Sequence, residues 1–198
     1  MTPLRRGDLP PRILAPPPGP ESRRLARQLE RYEAPGINTL GPDGTTLIWN
    51  EARGANVEDV DGNRFIDLTA GFGVAAVGHR HPGVVAAIRR QSSQLLHGLG
   101  EVHAHPIRVR LARELARIAP VSDAQVFFTV SGADAVETAI KTALLATGRR
   151  GLLAFDPAYH GLSLGALQVT SRAEVREPGA AHFHPHWPRL PEACPGEQ

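Results

Sequence analysis

The apolar positions of this chain change rhythm along its length. PGVVAAIRRQSSQLLH (82–97) sets Val84, Val85, Ile88, Leu95 and Leu96 at helical spacing, with Pro82 near the start. PIRVRLARELARIA (106–119) predicts a second helix running to Pro120, and ESRRLARQLERYEA (21–34) a short earlier one. The most regular stretch is SGADAVETAIKTALLATG (131–148). Its Val136, Ala139, Ile140, Ala143 and Leu144 follow the i, i+3, i+4, i+7, i+8 rule, so one face should pack on a sheet, and Gly148 should end the helix. Two runs have the continuous apolar character of strands: AQVFFTV (124–130), of the kind buried on both faces, and GLLAF (151–155). Farther upstream, TTLIWNEARGANVEDVDGNRFIDLT reads as strands. Asp61-Gly62-Asn63 is a turn signal that makes VEDV and RFIDL a hairpin.

Strand, helix, strand with short connections is a βαβ unit, which predicts an α/β chain whose parallel or mixed sheet is covered by helices. Residues 1–20 hold seven prolines from Pro3 to Pro20, which remove amide donors and keep the chain extended. That segment reads as a flexible or surface-hugging arm. Residues 21–70 then form a helix-and-hairpin segment, and residues 71–198 a larger domain. The tail REPGAAHFHPHWPRLPEACPGEQ (176–198) offers no closing element.

Composition narrows the function classes. With 22 basic and 20 acidic residues intermixed and 41% hydrophobic residues, the chain reads as soluble and globular, and no Arg stripe interleaved with aromatics points to nucleic acid. One cysteine, Cys194, cannot form an internal disulfide, and no run is apolar enough for a signal peptide or a membrane span, so a cytoplasmic location is expected.

The chemistry concentrates at the start of the 131–148 helix. Ser131 stands where an N-cap belongs, and Asp134 supplies the acid of a capping-box-like pattern. Gly132 and Ala133 carry almost no side chain, so an anion could approach the free amides of the first turn. Lys141, the only lysine, falls on the face opposite the apolar one. Glu137 precedes it by one turn, so the pair reads as a solvated ion pair rather than a catalytic amine. Tyr159 and His160, in DPAYHGLSLGAL, follow the second strand of the βαβ unit, where ligands of open α/β sheets collect.

Taken in order, WNEARGANVEDVDGNRFIDLTAG, AGFGVAAVGHRHP, VSGADAVETAIKTA and AYHG resemble the class III aminotransferases, pyridoxal-phosphate enzymes of fold type I. The likeness to 4-aminobutyrate and ω-amino acid members is especially close. The resemblance spans about residues 30–190. It implies an incomplete, mostly parallel or mixed large-domain sheet with flanking helices, and a hairpin of the small domain. It further implies that Gly132 and Ala133 hold the cofactor phosphate, with Ser131 shaping the turn, that Tyr159 stacks on the pyridine ring with His160 in support, and that Phe72 walls the substrate pocket. Asp134 stands where the pattern usually has Glu, Ala133 where it often has Ser or Thr, and Leu162 where many amino-acid-specific members place an arginine that grips a substrate carboxylate.

The resemblance implies transfer of an amino group from an amino acid or amine to a 2-oxo acid. It also implies a homodimer, or association with a lysine-bearing chain, because the Schiff-base lysine and the acid beside the pyridine nitrogen come from later strands in the family. The chain is therefore expected to be an N-terminal portion, inactive on its own. Two alternatives stand beside this: a non-catalytic module pairing with a full-length aminotransferase, and a fragment of a class III aminomutase or decarboxylase. The alternating His182, His184 and His186 lack a Cys or carboxylate at ligand spacing, so no metal site is assigned. His79 and His81 read as a turn before a helix, because no carboxylate adjoins them in sequence.

Overall fold

The computed structural model describes residues 4–34, 40–41, 43, 45–100, 102–184 and 187–191, with the backbone alone at Arg189 and Pro191. The chain divides into two compact units, Met1–His103 and Ala104–Gln198.

The first unit is built on a three-stranded antiparallel sheet in the order β1 (Trp49–Arg53), β2 (Asn56–Asp59), β3 (Arg64–Ile66). The hairpin around Asp61-Gly62-Asn63 forms as its residues predict, with Val57 opposite Phe65. β2 is buried at every position, polar residues included. Burial of Asp59 is tolerated because its carboxylate accepts from the Asp61 and Asn63 amides at 2.9 and 2.8 Å and from the Asn63 side chain at 2.8 Å. Asp61 acts at longer range, accepting from the Glu21 and Ser22 amides at 2.8 and 2.9 Å. It thereby caps helix α1 (Pro20–Tyr32), whose own N-cap residue, Gly19, has no side chain to offer.

The proline-rich arm lies on this sheet. Leu9 and Leu14 donate their amides to the side chains of Asn56 and Asn63, both at 2.7 Å, and Arg12 exchanges backbone hydrogen bonds with Arg64. Helix α2 (Pro82–Ser92) stops short of the apolar periodicity that runs on to Leu96. The Ser92 and Ser93 hydroxyls donate to the carbonyls of Arg89 and Arg90, a local alternative to continuing the helix.

The second unit begins with α3 (Pro106–Ile118), whose N-cap His105 accepts the Ile107 amide on Nδ1 at 3.1 Å. Helix α4 (Gly132–Thr147) follows, then strand β4 (Ala154–Asp156), helices α5 (Leu164–Val169) and α6 (Ala173–Arg176), a 3-10 turn (Glu177–His182) and strand β5 (Arg189–Pro191). β4 and β5 pair in parallel, which requires the helical crossover between them. Ile140, Ala154 and Val169 form the core, flanked by Val136, Leu144, Leu152 and Trp187, so the apolar stripe of α4 packs on the parallel pair.

Two strand expectations are corrected. AQVFFTV is not a strand: no strand pairs with it among the described residues, and Phe127 and Val130 are 74% and 97% exposed. β-propensity describes fit to a packed pleated surface, and without neighbours it does not fix a strand. The tail, expected to offer no closing element, supplies β5. Among the described residues, no helix is long and apolar enough to cross a membrane.

Candidate functional site

Five residues of interest converge on the N-terminal end of α4. Ser131 is its N-cap, with the side chain accepting the Asp134 amide at 3.1 Å. The reciprocal bond expected of a capping box is displaced by one residue, because Asp134 accepts from Val130 at 3.4 Å. Ala135 donates to the Ser131 carbonyl. The amides of Gly132 and Ala133 are then the ones left without an acceptor among the described residues, at the positive end of a four-turn helix. A Cβ built on Gly132 would meet nothing within 4 Å, so open space lies in front of the turn.

Tyr159 and His160 come from the loop after β4, and Gly161 brings that loop against the turn. Its φ is +123°, and a Cβ there would lie 2.5 Å from Ala133 Cβ. Only glycine permits both that backbone conformation and that approach. The resulting open cleft, of about 540 Å³, is lined by Gly132, Ala133, Val136, Tyr159, His160, Gly161 and Leu162. Tyr159 is 57% exposed, so much of its ring is available to a ligand.

The residues that hold this loop were not visible as site residues in the sequence. Thr170 is fully buried, and its hydroxyl accepts the His160 amide at 3.0 Å while lying 3.0 Å from the Gly161 and Ala166 carbonyls. Ser171 and Ala158 bond through the Ser171 amide and hydroxyl, each contact at 2.7 Å. A Thr-Ser pair after a short apolar run carries little signal, since its partners are about ten residues upstream.

Glu137 is a correction to the surface ion pair. Its carboxylate accepts from the Gly165 and Ala166 amides at 2.6 and 3.3 Å, at the start of α5. Burial opposes its ionisation, but the two amides and the Lys141 charge help to hold the carboxyl below its usual range. Lys141 itself is exposed and does not line the cleft.

Phe72 lies in the first unit, 95% exposed on a turn after β3, whereas the cleft-lining residues all belong to the second. That turn is anchored by Asp67, whose carboxylate accepts from the amides of Thr69 at 3.0 Å and Gly71 at 2.8 Å and lies 2.8 Å from His79 Nε2. His79 thus has a carboxylate partner after all, twelve residues away in sequence, and its backbone is held by reciprocal bonds with Gly54. Bonds to His79 and Thr69 pull the Asp67 carboxyl down to about 2. Among the described residues, no three His, Cys, Asp or Glu side chains are placed to hold a metal ion, and His186 lies outside those residues.

The sequence and the fold have counterparts among known proteins. The family model of class-III aminotransferases matches residues 40–198. An alanine/serine racemase of Pyrococcus horikoshii is 36% identical over 89% of this chain and 36% of its own length. An acetylornithine aminotransferase of Methanopyrus kandleri is 42% identical over 77% of this chain and 38% of its own. In three dimensions, the taurine:2-oxoglutarate aminotransferase of Bifidobacterium kashiwanohense, solved in complex with PLP and glutamate, superposes with a TM-score of 0.75 at 26% identity, covering 86% of this chain and 38% of that one. The chain thus spans well under half the length of the relatives it matches. Within that span the family model, the related sequences and the α/β fold agree, and the chain belongs to the class-III aminotransferase family.

Proposed function

We infer that this chain supplies the phosphate-and-ring half of a pyridoxal-phosphate site, in a transaminase that moves an amino group from an amino acid or amine to a 2-oxo acid. The observation that carries this reading is the pair of acceptor-free amides, Gly132 and Ala133, opening on the same cleft as Tyr159. The residues present fit the group. Two backbone donors at a helix N-terminus suit a phosphate dianion, the space before Gly132 leaves room for it, and an exposed tyrosine offers a flat face to a pyridine ring. Bound pyridoxal phosphate supplies an aldehyde that takes up amino groups and a conjugated ring that accepts electrons. This chain's residues bind and orient: Ser131 fixes the turn, Tyr159 and His160 form the ring wall, and Thr170 and Ser171 keep that wall in place.

The reactive amine is not Lys141, which is the only lysine and stands outside the cleft. The amine therefore comes from sequence beyond these 198 residues or from a partner chain, with assembly as a dimer in the cytoplasm. Leu162 and Val136 give the cleft an apolar wall, and no lysine or arginine among the described residues lines it, which disfavours a substrate carboxylate at that wall. The intact mass of the native gene product, together with its transaminase activity, tests the reading. We expect a mass well above 21.3 kDa and a second lysine-bearing segment; a 21.3 kDa product that co-purifies with no lysine-bearing chain would overturn it.

A further inference from the structure

A second cavity, of about 260 Å³, lies at the other end of α4 and is lined by Leu144, Gly148, Arg149, Arg150, His184 and Trp187. Gly148, in the left-handed conformation at φ 65°, ends the helix and turns the two arginines into the cavity lining. Neither guanidinium has a carboxylate partner among the described residues, and the lining contains no Asp or Glu. The opposite wall is fixed in advance. Trp187 donates its indole N–H to the Arg150 carbonyl at 2.8 Å, and its ring stacks on His184 at 5.6 Å and 24°. The His184 amide in turn donates to Gln168 Oε1 at 2.6 Å, and Trp187 packs against the core of the unit.

Two adjacent cations repel each other, and the nearby helix C-terminus relieves this only in part. A guanidinium fork recognises a carboxylate through two parallel hydrogen bonds, and an indole face takes a flat ring. The geometry points to a binding site for a small planar organic anion, an aromatic carboxylate, held between Arg149, Arg150 and the Trp187 wall. The cavity is at the small end of ligand sites, which sets the size of the ligand at a single ring. Nothing in this assignment depends on pyridoxal phosphate, whose site is at the opposite end of the helix.

The test follows the two indole N–H resonances of the full chain, one from each tryptophan, during titration with benzoate, with inorganic phosphate as a charge-only control. The expected result is a saturable shift of the Trp187 resonance alone, weakened at least about tenfold in R149Q/R150Q and less in R149K/R150K. A thermal melt of each variant checks its folding. No saturable shift, or one unchanged in the folded double variant, overturns the site and leaves the arginines as partners of the helix end. An equal response to phosphate overturns the planar part of the assignment.

Discussion

Gly161 shows how much one residue can decide. The loop carrying Tyr159 and His160 reaches the α4 turn only because no Cβ stands between Gly161 and Ala133. Gly161→Ala should destabilise the second unit by about 1–3 kcal/mol, through overpacking and a left-handed φ, and should shift the denaturant midpoint without changing the slope. Asp67 in the first unit makes a pH prediction. Its carboxyl titrates at about 2 in the folded chain against an ordinary 3.8, so the anion is the favoured form when folded. Its contribution is fully present above pH 3.8 and is lost as pH falls through about 2. Wild type should therefore lose more thermal stability over that window than Asp67→Asn; parallel melting curves would refute the assignment. The sequence singles out Ser131, Gly132, Ala133, Tyr159 and His160 through local signals, a cap, a small-residue turn and a strand-end aromatic, and the structure brings them together at one end of α4. Reading the sequence missed the Asp67–His79 contact and the Thr170 clamp, because their partners are set by the folded chain and not by adjacency.

At the scale of elements, helix α4 carries the most information: its N-cap, its C-terminal glycine and Val136, Ile140 and Leu144 of its apolar stripe read correctly from sequence, while Ala139 of that stripe is exposed. Its polar face did not read correctly. Glu137 at i and Lys141 at i+4 look like an ordinary surface pair, yet the carboxylate reaches across to α5. Glu137→Gln should cost about 1–2 kcal/mol by weakening charge-assisted bonds to the Gly165 and Ala166 amides, whereas Lys141→Ala should be near neutral by the same denaturant titration. The AQVFFTV segment is the opposite lesson. Its composition is that of an inner strand, but a strand exists only with a neighbour, and none of the described residues provides one. Ser131→Ala should cost about 1 kcal/mol through loss of the cap, with Ser131→Asn largely restoring it.

For the whole molecule, the apolar faces left open are as informative as the core. Val84 and Ile88 on α2, and Val109, Leu111 and Ile118 on α3, remain exposed, as do Phe127 and Val130. These residues account for the helical periodicity seen in the sequence without having a surface here to pack against. The chain spans well under half the length of the relatives it matches, and the function proposed above makes it one part of a larger site, holding a cofactor that another segment makes reactive. The most direct test of that claim is a calorimetric titration with pyridoxine 5′-phosphate, which lacks the aldehyde and so cannot be captured by the Lys141 amine. Wild type should be compared with Gly132→Leu, a change whose Cβ meets nothing in the folded chain and which should leave the unfolding midpoint intact or raised. The account predicts binding to wild type and a loss of about tenfold or more in the variant. Equal affinity for the two chains, with both folded, would contradict the placement of the phosphate at Gly132 and Ala133.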